Sequence, residues 1–526
     1  MKKDFKNIIL ITIIFLLLAI LNFSKTGNIL IDFSRESYLS YAINQGYAPF
    51  KDYLTIYGAF GYIFNSLLYK FSNNVNILLI LANIISYFIV FVFYFISRQF
   101  LNRKESALLT IFICLVNVFS YSTFSFVYPY SFSTLWAYLA SYILLLALLK
   151  KKENISFILL GFILINRIEL FFPLLIVSFL YLKPQKKLKN LLYLTIFPII
   201  LGIYFLFNKI NLNDILNNIF YINKMLETKA LSEFYKNVGV YFNLEFFIFN
   251  LKNIIIFAII SGISYILYKK TKPYISYIFA LLALNIAEIA TLFNLIIIFL
   301  IGNIFYYVLK KKKISPNTLL LVSFSIILAI KSILVINWYN YSNFACPIVL
   351  LCLYFLYKKI TNKKWLFNFV LIILISISIS NFKYLSTHKK EKINTSVGNI
   401  YINENEKENF VGIVDYLNKN LKKDETFVVV PEGLIFNQIF NKIHPYYYTT
   451  LTPLDFETFS EEKIINDTAK IKPDYIIFYP RNTKEYGANT ICYDYGVNFC
   501  IHIINNYSRV AIIKGQYSAL IFKRIK

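Results

Sequence analysis

The chain has 526 residues, 58% of them hydrophobic, a mean hydropathy of +0.57 and a formal net charge of +26. This apolar fraction exceeds the roughly 45–50% of soluble domains and excludes an ordinary water-soluble protein. The charge does not indicate nucleic-acid binding, because residues 1–383 carry a net +24 in short basic clusters between apolar runs. Residues 384–526 carry only +2.

The first third of the chain predicts four membrane spans and one long outer loop. Each apolar run approaches the roughly 20 residues that a helix needs to cross a bilayer. Lys2, Lys3 and Lys6 precede the first run and place the N-terminus in the cytoplasm. No small-residue cleavage site follows this run, so we interpret it as an uncleaved span. The spans are 8–24, 75–96, 106–120 and 132–149, and residues 25–74 form the outer loop.

The remaining apolar runs raise the expected number of spans to about thirteen. Three stretches carry lysine clusters at both ends, so both ends face the cytoplasm and each stretch must turn within the membrane. These hairpins are 155–182 with a turn at 166–169, 274–309 with a turn near 288–294, and 317–357 with a turn around 337–343. Single spans at 190–207, 247–268 and 365–382 complete the set, and an odd total leaves the tail outside.

The tail, residues 384–526, has the alternating pattern of a small α/β domain. An amphipathic helix at 409–423, strands at 426–430 and 475–479, and a hairpin-like pair at 508–524 are predicted. Two of the five cysteines, Cys492 and Cys500, lie close enough to pair in an oxidising compartment, and the sequence leaves this pairing open. We therefore predict a polytopic α-helical membrane domain, 1–383, followed by a C-terminal extracytoplasmic α/β domain, 384–526.

The first outer loop holds the strongest candidate site. Asp32, Arg35 and Glu36 are spaced three and four residues apart, so they share one face if this segment is helical. Asp32 closely follows the first span, near the membrane surface, where a carboxylate could take a proton from an acceptor hydroxyl and nearby cations could hold a phosphate. The alternative is structural: Asp32 caps an interfacial helix and Arg35 pairs locally.

The same loop resembles the first-loop signature of the GT-C superfamily of membrane glycosyltransferases. The resemblance consists of the early Asp32, the Arg35–Glu36 cluster, and the run Gly46-Tyr47-Ala48-Pro49-Phe50-Lys51-Asp52-Tyr53 with Tyr57-Gly58. The pattern is most similar to the protein O-mannosyltransferase and lipid A aminoarabinose transferase group, although Phe33 stands where the former have a second acid. The resemblance implies a polyprenyl-phosphate sugar donor, Asp32 as catalytic base, and Asp52 near the sugar or phosphate. We also predict that Arg35, Glu36, Lys51, Tyr57 and Glu169 bind the substrate or its phosphate.

Charged residues within the apolar hairpins form a second candidate group. Arg167 and Glu169 lie at the first hairpin tip, Glu288 at the second, and Lys331 near the third. Such residues usually face a cavity or one another, because a charge in hydrocarbon is costly. We predict that Arg167 and Lys331 hold the donor phosphate. The alternatives are a structural Arg167–Glu169 pair and a Lys331 side chain that reaches the interface.

These expectations combine into one reaction: an inverting transfer of a sugar from polyprenyl phosphate to an acceptor hydroxyl of a glycan, lipid or protein. We expect no organic cofactor and no obligatory metal, and the histidines His388, His444 and His502 lack the spacing of metal ligands. The rival interpretations are a lipid-linked sugar flippase or transporter and a non-catalytic membrane scaffold. A transporter would be expected to show internal repeats, and the sequence has none of fixed period.

Overall fold

The computed structural model describes residues 4–120, 124–182, 187–237, 244–270, 273–286, 314–330, 341–358, 362–387 and 389–525. The chain forms two compact units. The first comprises Met1–Gly27, Leu79–Ile200 and Val238–Thr387, and the second comprises Asn28–Leu78, Leu201–Asn237 and His388–Lys526. The second unit therefore joins most of the predicted first outer loop to the tail, a grouping that the sequence did not predict.

Helices account for most of the described chain before the tail. In chain order they are α1 (Phe5–Asn22), α2 (Asp32–Asn44), α3 (Phe60–Tyr69), α4 (Asn76–Ser97), α5 (Arg103–Ile113, continued by a π-helical turn at Cys114–Val118), α6 (Phe132–Leu149), α7 (Glu153–Asn166), α8 (Ile168–Leu182), α9 (Lys187–Phe207), α10 (Leu212–Leu226), α11 (Lys229–Asn237), α12 (Leu244–Lys270), α13 (Pro273–Ile286), α14 (Pro316–Leu328), α15 (Cys346–Tyr357) and α16 (Lys363–Thr387).

Five of the described helices, α1, α4, α6, α9 and α16, are long and apolar enough to cross a membrane. Together with the composition, they identify an integral membrane protein. The turn predicted at 166–169 is confirmed, because α7 ends at Asn166 and α8 begins at Ile168. The turn near 288–294, including Glu288, lies outside the described residues, and the turn at 337–343 is described only from residue 341. The total of about thirteen spans stays a prediction.

The tail contains the predicted mixture of helices and strands. Its elements are β1 (Lys390–Thr395), β2 (Gly398–Asn403), α17 (Glu404–Asn420), β3 (Phe427–Val430), α18 (Leu434–Ile439), α19 (Pro453–Phe459), α20 (Glu461–Ile471), β4 (Tyr475–Phe478), α21 (Val497–Asn506), β5 (Tyr507–Ile513) and β6 (Ala519–Arg524). The first two strands pair as an antiparallel hairpin. The others form a sheet of order β3-β4-β6-β5, in which β3 and β4 are parallel and the other pairs antiparallel.

The parallel pair determines where side chains meet at one edge of this sheet. A parallel connection needs a crossover, and α18, α19 and α20 supply it. The carboxyl ends of β3 and β4 therefore lie side by side, with Val430 opposite Phe478. Both strands are buried throughout, so the polar residues that follow them emerge at a fixed edge of a rigid core.

The core of the second unit draws on all three of its segments. Leu54 from the first loop and Met225 from α10 are 3% and 5% exposed, and they belong to the same hydrophobic cluster as Val430 of β3. The backbone N–H of Leu54 also donates to the carbonyl of Tyr447, at 2.7 Å. Burial of apolar surface is the main stabilising term in folding, so the loop is an integral, packed part of the second unit.

Candidate functional site

Helix α2 begins at Asp32, and its first turn carries the predicted charged face. A carboxylate is favoured there because the first N–H groups of a helix are unpaired and carry partial positive charge. Arg35 lies one turn later, with its Nη2 3.0 Å from Oδ1 of Asp32 and its Nε 3.8 Å from Oε1 of Glu36. The Arg35 guanidinium also lies 5.1 Å from the centre of the Tyr57 ring. The prediction that the three charged residues share a helical face is confirmed.

The two carboxylates of this face differ in their exposure to solvent. The side chain of Asp32 is 37% exposed and that of Arg35 13%, whereas Glu36 is 1% exposed. The hydroxyl of Tyr62 donates to Oε1 of Glu36 at 2.8 Å. Glu36 is therefore placed to orient Arg35 rather than to contact a substrate, and Asp32 is the carboxylate that a substrate can reach.

Arg35 remains a cation despite its burial. Desolvation alone would lower its pKa, but Tyr57 and the Asp32 carboxylate hold the pKa well above the ordinary value for arginine. The local pairing that the sequence offered as the structural alternative is thus present. This pairing still allows Asp32 to accept a proton, because the ion pair orients a carboxylate that stays open to solvent.

Hydrogen bonds fix α2 against α18, the helix that follows β3. The N–H of Ile435 donates to Oγ of Ser34 at 2.6 Å, and Oγ of Ser37 donates to Oε1 of Gln438 at 2.6 Å. All four residues are buried. Hydrogen bonds between buried groups favour the arrangement that forms them, because breaking one leaves a buried polar group unpaired. The helix that carries Asp32 is therefore held in register beside the carboxyl end of β3.

Two further charged residues emerge at that end of the sheet. Glu432 follows β3 by two residues and Arg481 follows β4 by three, so the parallel pairing brings them together. The Arg481 guanidinium forms an ion pair with the Glu432 carboxylate through Nε, and its Nη2 donates to Oε1 of Glu485 at 2.6 Å. The side chains of Glu432 and Arg481 are only 9% and 14% exposed, so this is a largely buried charge cluster.

The electrostatics link this cluster to the first loop. Desolvation raises the pKa of Glu432 to about 7, although the Arg481 cation acts to lower it. Asp32 adds to the rise and Arg35 opposes it, so both loop residues lie within electrostatic range of the Glu432 carboxyl. The site therefore pairs an exposed carboxylate, Asp32, with a buried carboxyl that can hold a proton near neutral pH.

A cavity of about 700 Å³ opens beside Arg481 within the tail. Its lining combines apolar and polar side chains, among them Tyr479, Asn482, Ile503 and Tyr517. Ligand pockets of about 300–1,000 Å³ with a few polar groups are typical of small-molecule sites. Cys492 and Cys500 also line it and form a disulfide, which answers the question that the sequence left open.

Lys51 and Asp52, the other predicted residues of the loop, lie on an exposed turn. The carboxylate of Asp52 accepts a hydrogen bond from the N–H of Ala48 at 2.7 Å, which closes this turn. The structure thus gives Asp52 a local structural contact, and its predicted proximity to a sugar or phosphate stays a prediction.

The predicted phosphate-binding residue Arg167 belongs to the first unit. Its side chain is 6% exposed, and Nη2 donates to the hydroxyl of Tyr130 at 3.2 Å and to that of Thr134. Its Nη1 lies 3.4 Å from Oε1 of Glu169, so the pair that the sequence offered as an alternative is present. A cavity of about 10 Å³ between these side chains holds one water at most. Lys331, its predicted partner in phosphate binding, lies outside the described residues.

Glu432 and Arg481 are not among the site residues predicted from the sequence. Each follows a predicted strand, and side chains just beyond the carboxyl ends of parallel strands are frequent ligand contacts. That signal was present, but the sequence did not reveal that the two strands are parallel neighbours. Among the described residues, no three or more His, Cys, Asp or Glu side chains are grouped so as to hold a metal ion.

No family model matches the chain, and no curated protein matches it. Among solved structures, the chain is similar to an archaeal oligosaccharyltransferase, AglB from Archaeoglobus fulgidus, in complex with an inhibitory peptide and a dolichol-phosphate. The sequences are 11% identical, the TM-score is 0.45, and the match covers 90% of this chain and 69% of the other. A similarity this distant assigns neither a family nor an activity to the chain.

Proposed function

We propose that this protein is a membrane glycosyltransferase that moves a sugar from a polyprenyl-phosphate donor to an acceptor hydroxyl at the extracytoplasmic membrane face. The observation that carries the proposal is the exposed Asp32 carboxylate, oriented by Arg35 at the start of a helix that buried hydrogen bonds hold in place. A general base needs such a fixed geometry and access to the proton that it removes. The resemblance of the first loop to the GT-C superfamily supports the same assignment.

In the proposed reaction the Asp32 carboxylate accepts the proton of the acceptor hydroxyl. The acceptor oxygen attacks the anomeric carbon of the sugar as the bond from that carbon to the phosphate oxygen breaks. The electron pair of that bond leaves with the polyprenyl phosphate, and the configuration at the anomeric carbon inverts. Arg167, with either Lys331 or Arg35, is proposed to stabilise the charge on the departing phosphate.

The tail is proposed to contribute the acceptor side of the site. Its cavity beside Arg481 has room for part of a glycan, lipid or peptide, and Arg481 is within the same charge cluster as Glu432. The Cys492–Cys500 disulfide supports a tail that lies in an oxidising compartment, outside the cytoplasm. For a bacterial chain this corresponds to the outer face of the cytoplasmic membrane.

The proposal is tested by measuring transfer of radiolabelled sugar from membrane polyprenyl phosphate by the wild-type chain and by Asp32→Asn. Asp415→Asn is the matched control, because Asp415 is an exposed carboxylate on α17. We expect Asp32→Asn to abolish transfer at unchanged expression and melting temperature, and Asp415→Asn to retain it. Transfer that is indifferent to Asp32→Asn, or absent from the wild-type chain over a panel of donors, would refute the proposal and favour a flippase or a scaffold.

A further inference from the structure

Helix α10 carries apolar residues on two different faces. One face packs inside the second unit: Met225 is 5% exposed, and the Tyr221 ring lies 4.6 Å from the ring of Phe459. The side-chain amide of Asn218 accepts from the N–H of Thr55 at 2.8 Å and donates to its carbonyl at 3.0 Å. These contacts fix the rotation of the helix, so the direction of its other face is also fixed.

The outward face of α10 is a broad apolar arc. Five large side chains are 45–68% exposed: Leu212, Leu216, Ile219, Phe220 and Leu226. At about 100° per residue they cover an arc of about 120°, and Asn223 is the polar residue within it. An amphipathic helix on a water-soluble surface has polar residues opposite its packed face. The opposite arrangement in α10 therefore requires an apolar environment on the outward side.

The position of α10 in the chain identifies that environment. The membrane-spanning helix α9 ends at Phe207, and α10 begins five residues later at Leu212. An extended link of this length reaches at most about 18 Å, so α10 starts near the plane in which α9 leaves the bilayer. The last residues of α9, Leu206 and Phe207, are 78% and 83% exposed, so the end of the span also presents apolar side chains outward.

We propose that α10 is an interfacial helix that lies along the membrane surface with its apolar arc in the lipid at the boundary of headgroups and acyl chains. Interfacial helices of this type bury an apolar face about 5–10 Å deep and keep their polar residues in the headgroup region. Lys224 flanks the arc and Lys209 lies in the link, where cations can meet lipid phosphates. Because Asn218 and Tyr221 bind α10 to the loop and the tail, this contact also holds the second unit at the membrane surface.

The test uses a nitroxide spin label at single cysteines in nanodiscs. Phe220→Cys reports on the arc, and Asn217→Cys, an exposed position on the polar flank of the same helix, is the matched control. The free cysteines Cys114, Cys346 and Cys352 are replaced by serine, and the melting temperature confirms the fold of each variant. We expect the label at residue 220 to collide several-fold more with oxygen than with a water-soluble nickel chelate, and the label at residue 217 to show the reverse.

A second measurement avoids substitutions altogether. The unmodified chain is reconstituted with a photoactivatable phospholipid, and the cross-linked peptides are identified by mass spectrometry. We expect cross-links on the peptide Leu212–Leu226. An aqueous label at residue 220, or an absence of lipid cross-links on this peptide, would overturn the proposal. Shielding of residue 220 from both quenchers that increases with protein concentration would instead assign the arc to a contact between two copies, which also overturns it.

Discussion

The burial of the Glu432 carboxyl beside Arg481 makes the stability of the second unit depend on pH. Burial raises the pKa of Glu432 from 4.5 to about 7, so the folded chain holds this proton more tightly than the unfolded chain does. Its contribution to stability is fully present below about pH 4.5 and is lost as the pH rises through about 7. Above that pH the wild-type carboxyl is ionised, and the free energy of unfolding no longer falls on its account.

In Arg481→Met the opposing cation is removed, so the buried Glu432 carboxyl stays protonated to a higher pH. The free energy of unfolding of the mutant then continues to fall above pH 7, by about 1.4 kcal/mol for each further pH unit. The wild-type and mutant chains should thus diverge by about 2 kcal/mol between about pH 7 and about pH 8.5. For a unit of roughly 150–250 residues this corresponds to a gap in melting temperature that widens by about 4–8 °C.

The assay is thermal unfolding in detergent at several pH values, with Glu432→Gln as the background control. The other groups titrate in both chains at each pH, so only the difference between the chains is interpreted. In the Glu432→Gln background, Arg481→Met should lower the melting temperature by an amount that does not depend on pH. In the chains that keep Glu432, the difference in melting temperature caused by Arg481→Met should widen from about pH 7 to about pH 8.5. A constant difference over this range would refute the conclusion that the Glu432 carboxyl holds a proton near neutral pH.

Three further outcomes follow from individual residues. Replacing Cys492 and Cys500 by serine opens a loop whose ends are 8 residues apart, and should lower the free energy of unfolding by about 2.5 kcal/mol in thermal or denaturant unfolding; reduction of the wild-type chain should abolish the difference. Gly433→Ala should cost about 1–3 kcal/mol, because φ is 146° there and a Cβ would lie 2.7 Å from Cγ1 of Val429; Gly202→Ala, in the interior of α9 with nothing within 4 Å of the new Cβ, should not lower the melting temperature and should raise it slightly, because alanine favours a helix more than glycine does. Arg167→Lys should lower sugar transfer roughly tenfold at matched expression, because lysine lacks the planar fork that meets Tyr130, Thr134 and Glu169; equal transfer by both chains would show that the reaction does not need this fork.

Local spacing and flanking charge predicted much of the fold and half of the candidate site. The spacing of Asp32, Arg35 and Glu36 was sufficient, because a helix fixes which residues share a face. Lysines on both sides of 155–182 were sufficient to predict the turn at Arg167, because both ends of that stretch must face one side of the membrane. In each case the deciding information lies within about thirty residues of the feature.

The other half of the site depends on pairings that no local pattern encodes. Glu432 meets Arg481 only because β3 and β4 are parallel neighbours, and Asp32 approaches them only because α2 packs on α18. The Ser37–Gln438 hydrogen bond joins residues about 400 positions apart in the chain, and the local sequence around neither residue predicts this contact. Such contacts are determined by tertiary packing, which overrides what short windows predict.

The shared core limits what a truncation could reveal about the tail. Leu54 of the first loop is buried in the same cluster as Val430 and Tyr446 of the tail, so deletion of residues 388–526 would expose the loop that holds Asp32. Activity lost by deletion would therefore follow from a disordered loop even if the tail contacted no substrate. Arg481→Met in the Glu432→Gln background leaves that apolar core intact, and it removes both charges from the edge of the sheet. Only a point change of this kind separates a role of the tail in binding the acceptor from its role in folding the loop.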